Sequence, residues 1–560
     1  MTRMAGLRLN AGEKGLARPA WMNTRALSIA ALVVILLVQL EMVFGRAINW
    51  DEFYHYSRVE MLARGTLTLP LQTLYTRFFA WVVHVPGSVV EHILLIRVFM
   101  YLSEIAILAA IVGIAGRFAD RTVALLCALG YLSAGFVLQH GFSFRFDAPT
   151  AALLMLALWV LLRSRLDAKA ILATGLLLGL AFMMTIKAVL YAPAFAGILW
   201  LRWTELGRSP AYALRVACTG LLAAIVFALV YWLHARGLGE YADEQAKAVI
   251  ASSSGKMFSL GIPPYWRFAV KGAILAPVLT LFILAFPIAL MKSAFRPAER
   301  LALIGLFLPL TTLAFYHNSA PYYYTFMLPP VAVACAASAK MLAARYGAGL
   351  LALLMLVCAL TVRALEPPSP IDKQRQLIEA AEAMFPEPVA YFDFSGMLGR
   401  FPKANIFMTP WGGEQYRMGM SPSMEAIMAR ETVPLVMAND PMFDAVFEGQ
   451  GPAPEFLPRD VAVMRSTYIH LWGPYWVAGR QVPGGSAVQP VDMLVPGPYT
   501  VRDGAVRLDG ATYQPGAIVR LARGRHEIGA GGARDARLVW GRDLRVPGSP
   551  PPPEPYVTSF

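Results

Sequence analysis

Cysteine is scarce in this chain: four residues in 560, Cys127, Cys218, Cys335 and Cys358, each inside an apolar run. The polar stretches contain none, which excludes a disulfide framework or a cysteine-based metal site there. Charge is scarce as well, with Asp, Glu, Lys and Arg at 15% of residues, against roughly 25% in an ordinary soluble domain. No zinc-finger or basic-helix spacing accompanies the net charge of +13, so nucleic acid is not an expected partner. No clear internal repeat is present, which counts against a transporter built from repeats. No convincing small-residue cleavage site follows the first apolar segment, Ala26–Phe44. That segment reads as a retained helix and not as a signal peptide.

What the chain has in abundance is apolar sequence, 57% of the total, which describes a polytopic α-helical membrane protein. After Ala26–Phe44, further spans are expected near 89–114, 121–140, 148–163, 170–186, 188–203, 213–234, 269–291, 301–316, 323–341 and 348–364, about eleven in all. Alternate gaps hold the basic residues: Arg117 and Arg121; Arg163, Arg165 and Lys169; Arg202, Arg208 and Arg215; Lys292, Arg296 and Arg300; Lys340 and Arg345. The short opposite gaps carry only Arg145 and Lys187. This alternation places the N-terminus in the cytoplasm and the C-terminal part outside.

Five parts are therefore expected: a cytoplasmic tail (1–25), a transmembrane domain (26–364), an α/β region (365–485), a β-rich region resembling a sandwich (486–546) and a Pro-rich tail (547–560) read as disordered. Loop 235–268 reads either as a flap over a site or as a solvated connection. A piece around Leu71–Val85 is expected along the membrane surface.

Unusual polar residues gather on the outer side. Asp51, Glu52, Tyr54 and His55 follow the first span, with Asp51 and His55 four apart as on one helix face. Arg145 and Asp147 lie between the third and fourth spans, Lys187 between the fifth and sixth, and His317 with Tyr322, Tyr323 and Tyr324 between the ninth and tenth. Each cluster has an ordinary reading as an ion pair, a snorkelling end or an interfacial belt. Ionisable groups at one membrane depth are costly, and four such clusters together favour a shared site. A carboxylate can take a proton from an acceptor hydroxyl. Lys, Arg, His and Tyr can hold an anionic leaving group such as a lipid phosphate.

With Trp50-Asp51-Glu52, Arg145-Phe146-Asp147, Thr185-Ile186-Lys187, and His317 through Tyr324 followed by Leu328-Pro329-Pro330, the chain resembles the polyprenyl-phosphate-sugar glycosyltransferases of the GT-C superfamily. The branch it resembles contains protein O-mannosyltransferases and the lipid A aminoarabinose transferases. Relatives often have Arg-Pro-Asp and Thr-Lys-Gly where this chain has Arg-Phe-Asp and Thr-Ile-Lys-Ala. The resemblance covers about residues 26–364 and implies inverting transfer of a sugar from a polyprenyl-phosphate carrier to a lipid A, polysaccharide, glycolipid or protein acceptor. It implies a bacterial inner membrane, with the C-terminal part in the periplasm. Asp51 would be the general base, Glu52 its orienting or sugar-binding neighbour, and Asp147 the second acid. Lys187, Arg145, His317, Tyr322, Tyr323 and Tyr324 would hold the donor phosphate, and His55 and Tyr54 the substrate. No cofactor is required. Asp51 and Asp147 permit a divalent metal, which no ligand spacing demands. The rival reading is a lipid or glycolipid flippase.

Overall fold

The computed structural model describes residues 24–239, 251, 255, 265–449 and 453–557. Most of the tail expected at 1–25, and the part of loop 235–268 read as a flap, lie outside the described residues.

The first half is helical. Its elements are α1 (Thr24–Gly45), α2 (Trp50–Ala63), α3 (Tyr75–Phe79), α4 (Val89–Ala115), α5 (Arg121–Leu132), α6 (Gly135–His140), α7 (Asp147–Arg163), α8 (Ala168–Met184), α9 (Ala192–Glu205) and α10 (Pro210–Ala235). After the loop come α11 (Trp266–Ile274), α12 (Pro277–Lys292), α13 (Pro297–Phe307), α14 (Tyr323–Ala334), α15 (Ala336–Tyr346) and α16 (Ala348–Ala364). Each segment read as a span is helical. Among the described residues, α1, α4, α10 and the continuous stretch Pro297–Ala314 are each long and apolar enough to cross a bilayer. Two further pairs qualify jointly but are bent: α11 with α12 by 103°, and α14 with α15 by 65°. Leu37, Leu214, Leu221, Leu284 and Met291 remain exposed on the outer surfaces of this bundle, as lipid-facing residues do. Close helix approach depends on small residues. A Cβ at Gly305 of α13 would lie 2.4 Å from the Pro193 carbonyl oxygen of α9.

The loop after α1 folds into α2, α3 and a 3₁₀ turn at Ala80–His84. A capping box starts α2: Asn49 Oδ1 accepts from the Asp51 N–H at 2.9 Å, and Glu52 Oε1 accepts from the Asn49 N–H at 3.0 Å. This satisfies backbone donors that would otherwise be orphaned at the helix start.

Beyond residue 364 lie α17 (Ile371–Met384), α18 (Pro410–Arg417), α19 (Met424–Arg430), α20 (Asp444–Phe447), α21 (Pro458–Thr467) and eleven strands among the described residues. A seven-stranded sheet runs β1-β2-β4-β11-β6-β9, with β3 also on β4, where β1 is Tyr391–Phe392, β2 Leu435–Met437, β3 Tyr468–Trp472, β4 Tyr475–Val482, β6 Gly497–Arg502, β9 Ile518–Leu521 and β11 Ala536–Trp540. A four-stranded sheet runs β5-β10-β7-β8 (Gln489–Met493, Gly524–Ala530, Val506–Leu508, Ala511–Tyr513). Val482, Met493, Val501, Leu508, Ile528 and Leu538 form a common core for the two sheets. Strand β4 pairs with β2 and β3 through its first half and with β11 through its second. One sheet thus joins the α/β part to the β-rich part.

The Pro-rich tail corrects an expectation of disorder. Trp472 Nε1 donates to Ser549 O at 3.0 Å, Lys373 Nζ to Pro553 O at 2.9 Å and Gln374 Nε2 to Tyr556 O at 2.9 Å, and Tyr556 is buried. A proline-rich chain has free carbonyls and little entropy left to lose, so side-chain donors suffice to order it.

Candidate active site

Two helix starts bring the carboxylates together. Asp51 lies in the first turn of α2 and Asp147 opens α7, where the positive end of the helix dipole favours negative charge. Arg145, in the short loop before α7, bonds both: Nη1 donates to Asp51 Oδ2 and Nε to Asp147 Oδ2 at 3.0 Å. Lys187 Nζ donates to Asp147 Oδ1. Lys187 is placed by the 3₁₀ turn Ile186–Tyr191, which Thr185 caps by accepting from the Lys187 N–H at 3.3 Å. The result is a continuous line of alternating charge, Asp51–Arg145–Asp147–Lys187, in which all four residues are buried. The guanidinium carbon of Arg145 lies 3.3 Å from the centroid of the Tyr322 ring, and Lys187 Nζ lies 4.8 Å from that of Phe146. Four buried charges are tolerable only when paired this way, and aromatic faces add cation–π stabilisation.

The other expected residues are placed differently. Glu52 is not in the line of charges. Its carboxylate accepts from Arg97 Nε at 2.7 Å, Arg97 Nη2 at 2.6 Å, the Phe144 N–H at 2.8 Å and the Asn49 N–H at 3.0 Å. Arg97 spends its remaining donors on the carbonyls of Val43, Arg46 and Ala47. Glu52 therefore clamps α2, α4 and the loop carrying Arg145, and has no face for a sugar. His55 Nδ1 bonds Tyr75 Oη at 2.8 Å. Burial, followed by the nearby Arg58 charge, holds the His55 pKa down to about 3, so the ring is neutral. Tyr54 turns toward the C-terminal region, its ring 4.3 Å from that of Phe407.

Of the tyrosines, only Tyr322 stacks on Arg145; its hydroxyl donates to Asn318 Oδ1 at 2.9 Å. Tyr323 Oη bonds Thr312 Oγ1 at 2.6 Å, while its ring centroid is 5.9 Å from Lys187 Nζ. Tyr324 packs on Phe136 at 5.0 Å and lines an apolar pocket of about 140 Å³ with Leu279, Ile283 and Leu313. Its hydroxyl, like His317 Nε2, is buried with no hydrogen-bond partner among the described residues.

Sequence reasoning missed Arg97 and Gln374. A lone Arg inside the apolar segment 89–114 was the available signal for the first. Gln374 gave none: it bonds both the N–H and the carbonyl of Ile48, at 3.0 and 2.8 Å, tying α17 to the residue before the α2 cap.

A divalent metal does not fit the donors as they stand. Asp51 and Asp147 both hold Arg145, and a cation between them would take the place of that guanidinium. Among the described residues, no three His, Cys, Asp or Glu side chains gather around one point.

Residues 77–232 match the profile of the dolichyl-phosphate-mannose-protein mannosyltransferase family, a segment that includes Arg97, Arg145, Asp147 and Lys187. No curated protein sequence matches the chain. Among solved structures, ArnT from Cupriavidus metallidurans in the apo state is similar with a TM-score of 0.51 at 13% identity, covering 75% of this chain and 94% of ArnT. The same enzyme bound to undecaprenyl phosphate gives 0.49 at 14%, covering 77% and 95%. The Archaeoglobus fulgidus oligosaccharyltransferase in the apo form gives 0.46 at 11%, covering 89% and 76%. The chain therefore shares its fold with ArnT, and its residues 77–232 are similar to the mannosyltransferase family.

Proposed function

We propose that this protein transfers a sugar from a polyprenyl-phosphate carrier to an acceptor hydroxyl of the cell envelope, on the outer face of the bacterial inner membrane. The observation that carries the reading is the Asp51–Arg145–Asp147–Lys187 line. It sets carboxylates and two cations side by side, groups suited to taking a proton and to binding a phosphate, and three of its members fall in the mannosyltransferase-like segment. The apolar pocket under Tyr324, walled by the bent α11–α12 pair, suits an isoprenyl chain entering from the bilayer.

In the proposed reaction the donor phosphate draws Arg145 and Lys187, and Arg145 releases Asp51. The acceptor oxygen attacks the anomeric carbon from the face opposite the phosphate, and its proton passes to the Asp51 carboxylate. The bond from the anomeric carbon to the phosphate oxygen breaks with its electron pair on the phosphate, inverting the centre. Arg145 and Lys187 stabilise the charge that grows there. Asp147 keeps both cations oriented when the site is empty. Lipid A, a polysaccharide, a glycolipid or a protein could each supply the hydroxyl.

The test offers purified protein a panel of radiolabelled polyprenyl-phosphate sugars with envelope lipids, glycans and proteins as acceptors. Transfer is expected with at least one pair, and Lys187→Met should lower its kcat by roughly 10²–10³. Movement of the lipid between leaflets without transfer to any acceptor would overturn the reading.

A further inference from the structure

A cleft lies far along the chain from the residues above. It has a volume of about 570 Å³ and opens between α19, α21, the far end of β4 and β5, the edge strand of the four-stranded sheet. Arg480 lines it from β4, facing the same way as Ala478, which α19 and α21 cover. The guanidinium is half-buried. Its Nε is shielded from solvent with no hydrogen-bond partner among the described residues. Around it stand Glu425, Asp492, Gln481, Gln489 and Ser466.

These side chains restrict the ligand. An anion would satisfy Arg480 but meet two carboxylates, and a cation would meet the reverse conflict. An apolar group would leave the unpartnered guanidinium N–H and its polar neighbours desolvated without partners, which is costly. Hydroxyl groups both donate and accept, so they match a donor-only Arg, acceptor-only carboxylates and two-way amides together. The volume lies in the range of small-ligand sites. We propose that this cleft binds a segment of neutral oligosaccharide, as a carbohydrate site separate from the transfer centre. The site stands on the cleft's own residues and does not depend on the transfer reaction. It is open and has no aromatic platform among its lining residues, so the expected Kd is on the order of 1 mM.

The test uses the full-length protein in a detergent without a sugar headgroup, titrated with maltotriose, mannotriose and chitotriose and followed by ligand-observed NMR. Saturable binding is expected for at least one trisaccharide. Arg480→Gln and Asp492→Ala should each weaken it about tenfold; Asp492 is exposed, so its replacement leaves the fold intact. Absence of saturable binding by all three sugars would overturn the proposal. So would binding that both substitutions leave unchanged, or tighter binding of tripolyphosphate than of any sugar.

Discussion

Asp51 and Glu52 are neighbours with different surroundings. The Asp51 side chain keeps 11% of its surface, whereas Glu52 keeps 1% and has every oxygen engaged. Of the two, Asp51 is the one left with surface open to an approaching group. Glu52→Gln keeps the shape but leaves the Arg97 charge buried without its partner, so unfolding in detergent should become easier by roughly 3–5 kcal/mol. If Glu52→Gln unfolds like wild type while transfer is lost, Glu52 belongs to the chemistry and not to the clamp. That Asp51, Arg145, Asp147 and Lys187 come together was legible in the sequence, because charges between apolar spans need partners. The fate of Glu52 was not, because its partner lies 45 residues away, and side-chain pairing at that distance leaves no local pattern.

At the scale of elements, apolar length showed where the helices are and hid where they break. Segment 121–140 breaks between α5 and α6, and segment 269–291 between α11 and α12, where Ala276 precedes Pro277. A residue before proline is driven out of the helical region, so this second break had a sequence signal. The two breaks meet: the Gly135 N–H donates to Leu275 O at 3.1 Å, and a Cβ on Gly135 would lie 2.7 Å from Leu275 Cβ. Gly135→Val should therefore push the breaks apart beside the Tyr324 pocket. The expected results are a destabilisation of about 1–3 kcal/mol and a higher KM for the lipid donor, read by thermal unfolding and transfer kinetics. An unchanged KM would separate this junction from donor binding.

At the scale of the whole molecule, the C-terminal region holds α2 in place. Gln374 joins Ile48 to Tyr556, and Arg64 donates to the Gly399 and Arg400 carbonyls at 3.2 and 2.9 Å. Phe53 and Tyr56 of α2 share a core with Leu377, Tyr391 and Tyr475. The sequence showed the helix-then-strand order of this region but not its docking, which rests on long-range bonds. Gln374→Ala leaves the Ile48 N–H buried and unpaired, at ~1–3 kcal/mol. It should lower kcat while the C-terminal fold, read by limited proteolysis, persists; full activity would free α2 from this control.

The most direct test compares wild type and Asp51→Asn for kcat and for affinity toward the polyprenyl-phosphate donor, at equal folded amounts. If Asp51 takes the acceptor proton after Arg145 has moved to the phosphate, kcat falls by roughly 10²–10⁴ while donor affinity is kept or improved. An unchanged kcat would contradict the account, because no other carboxylate in the line is as open to an acceptor.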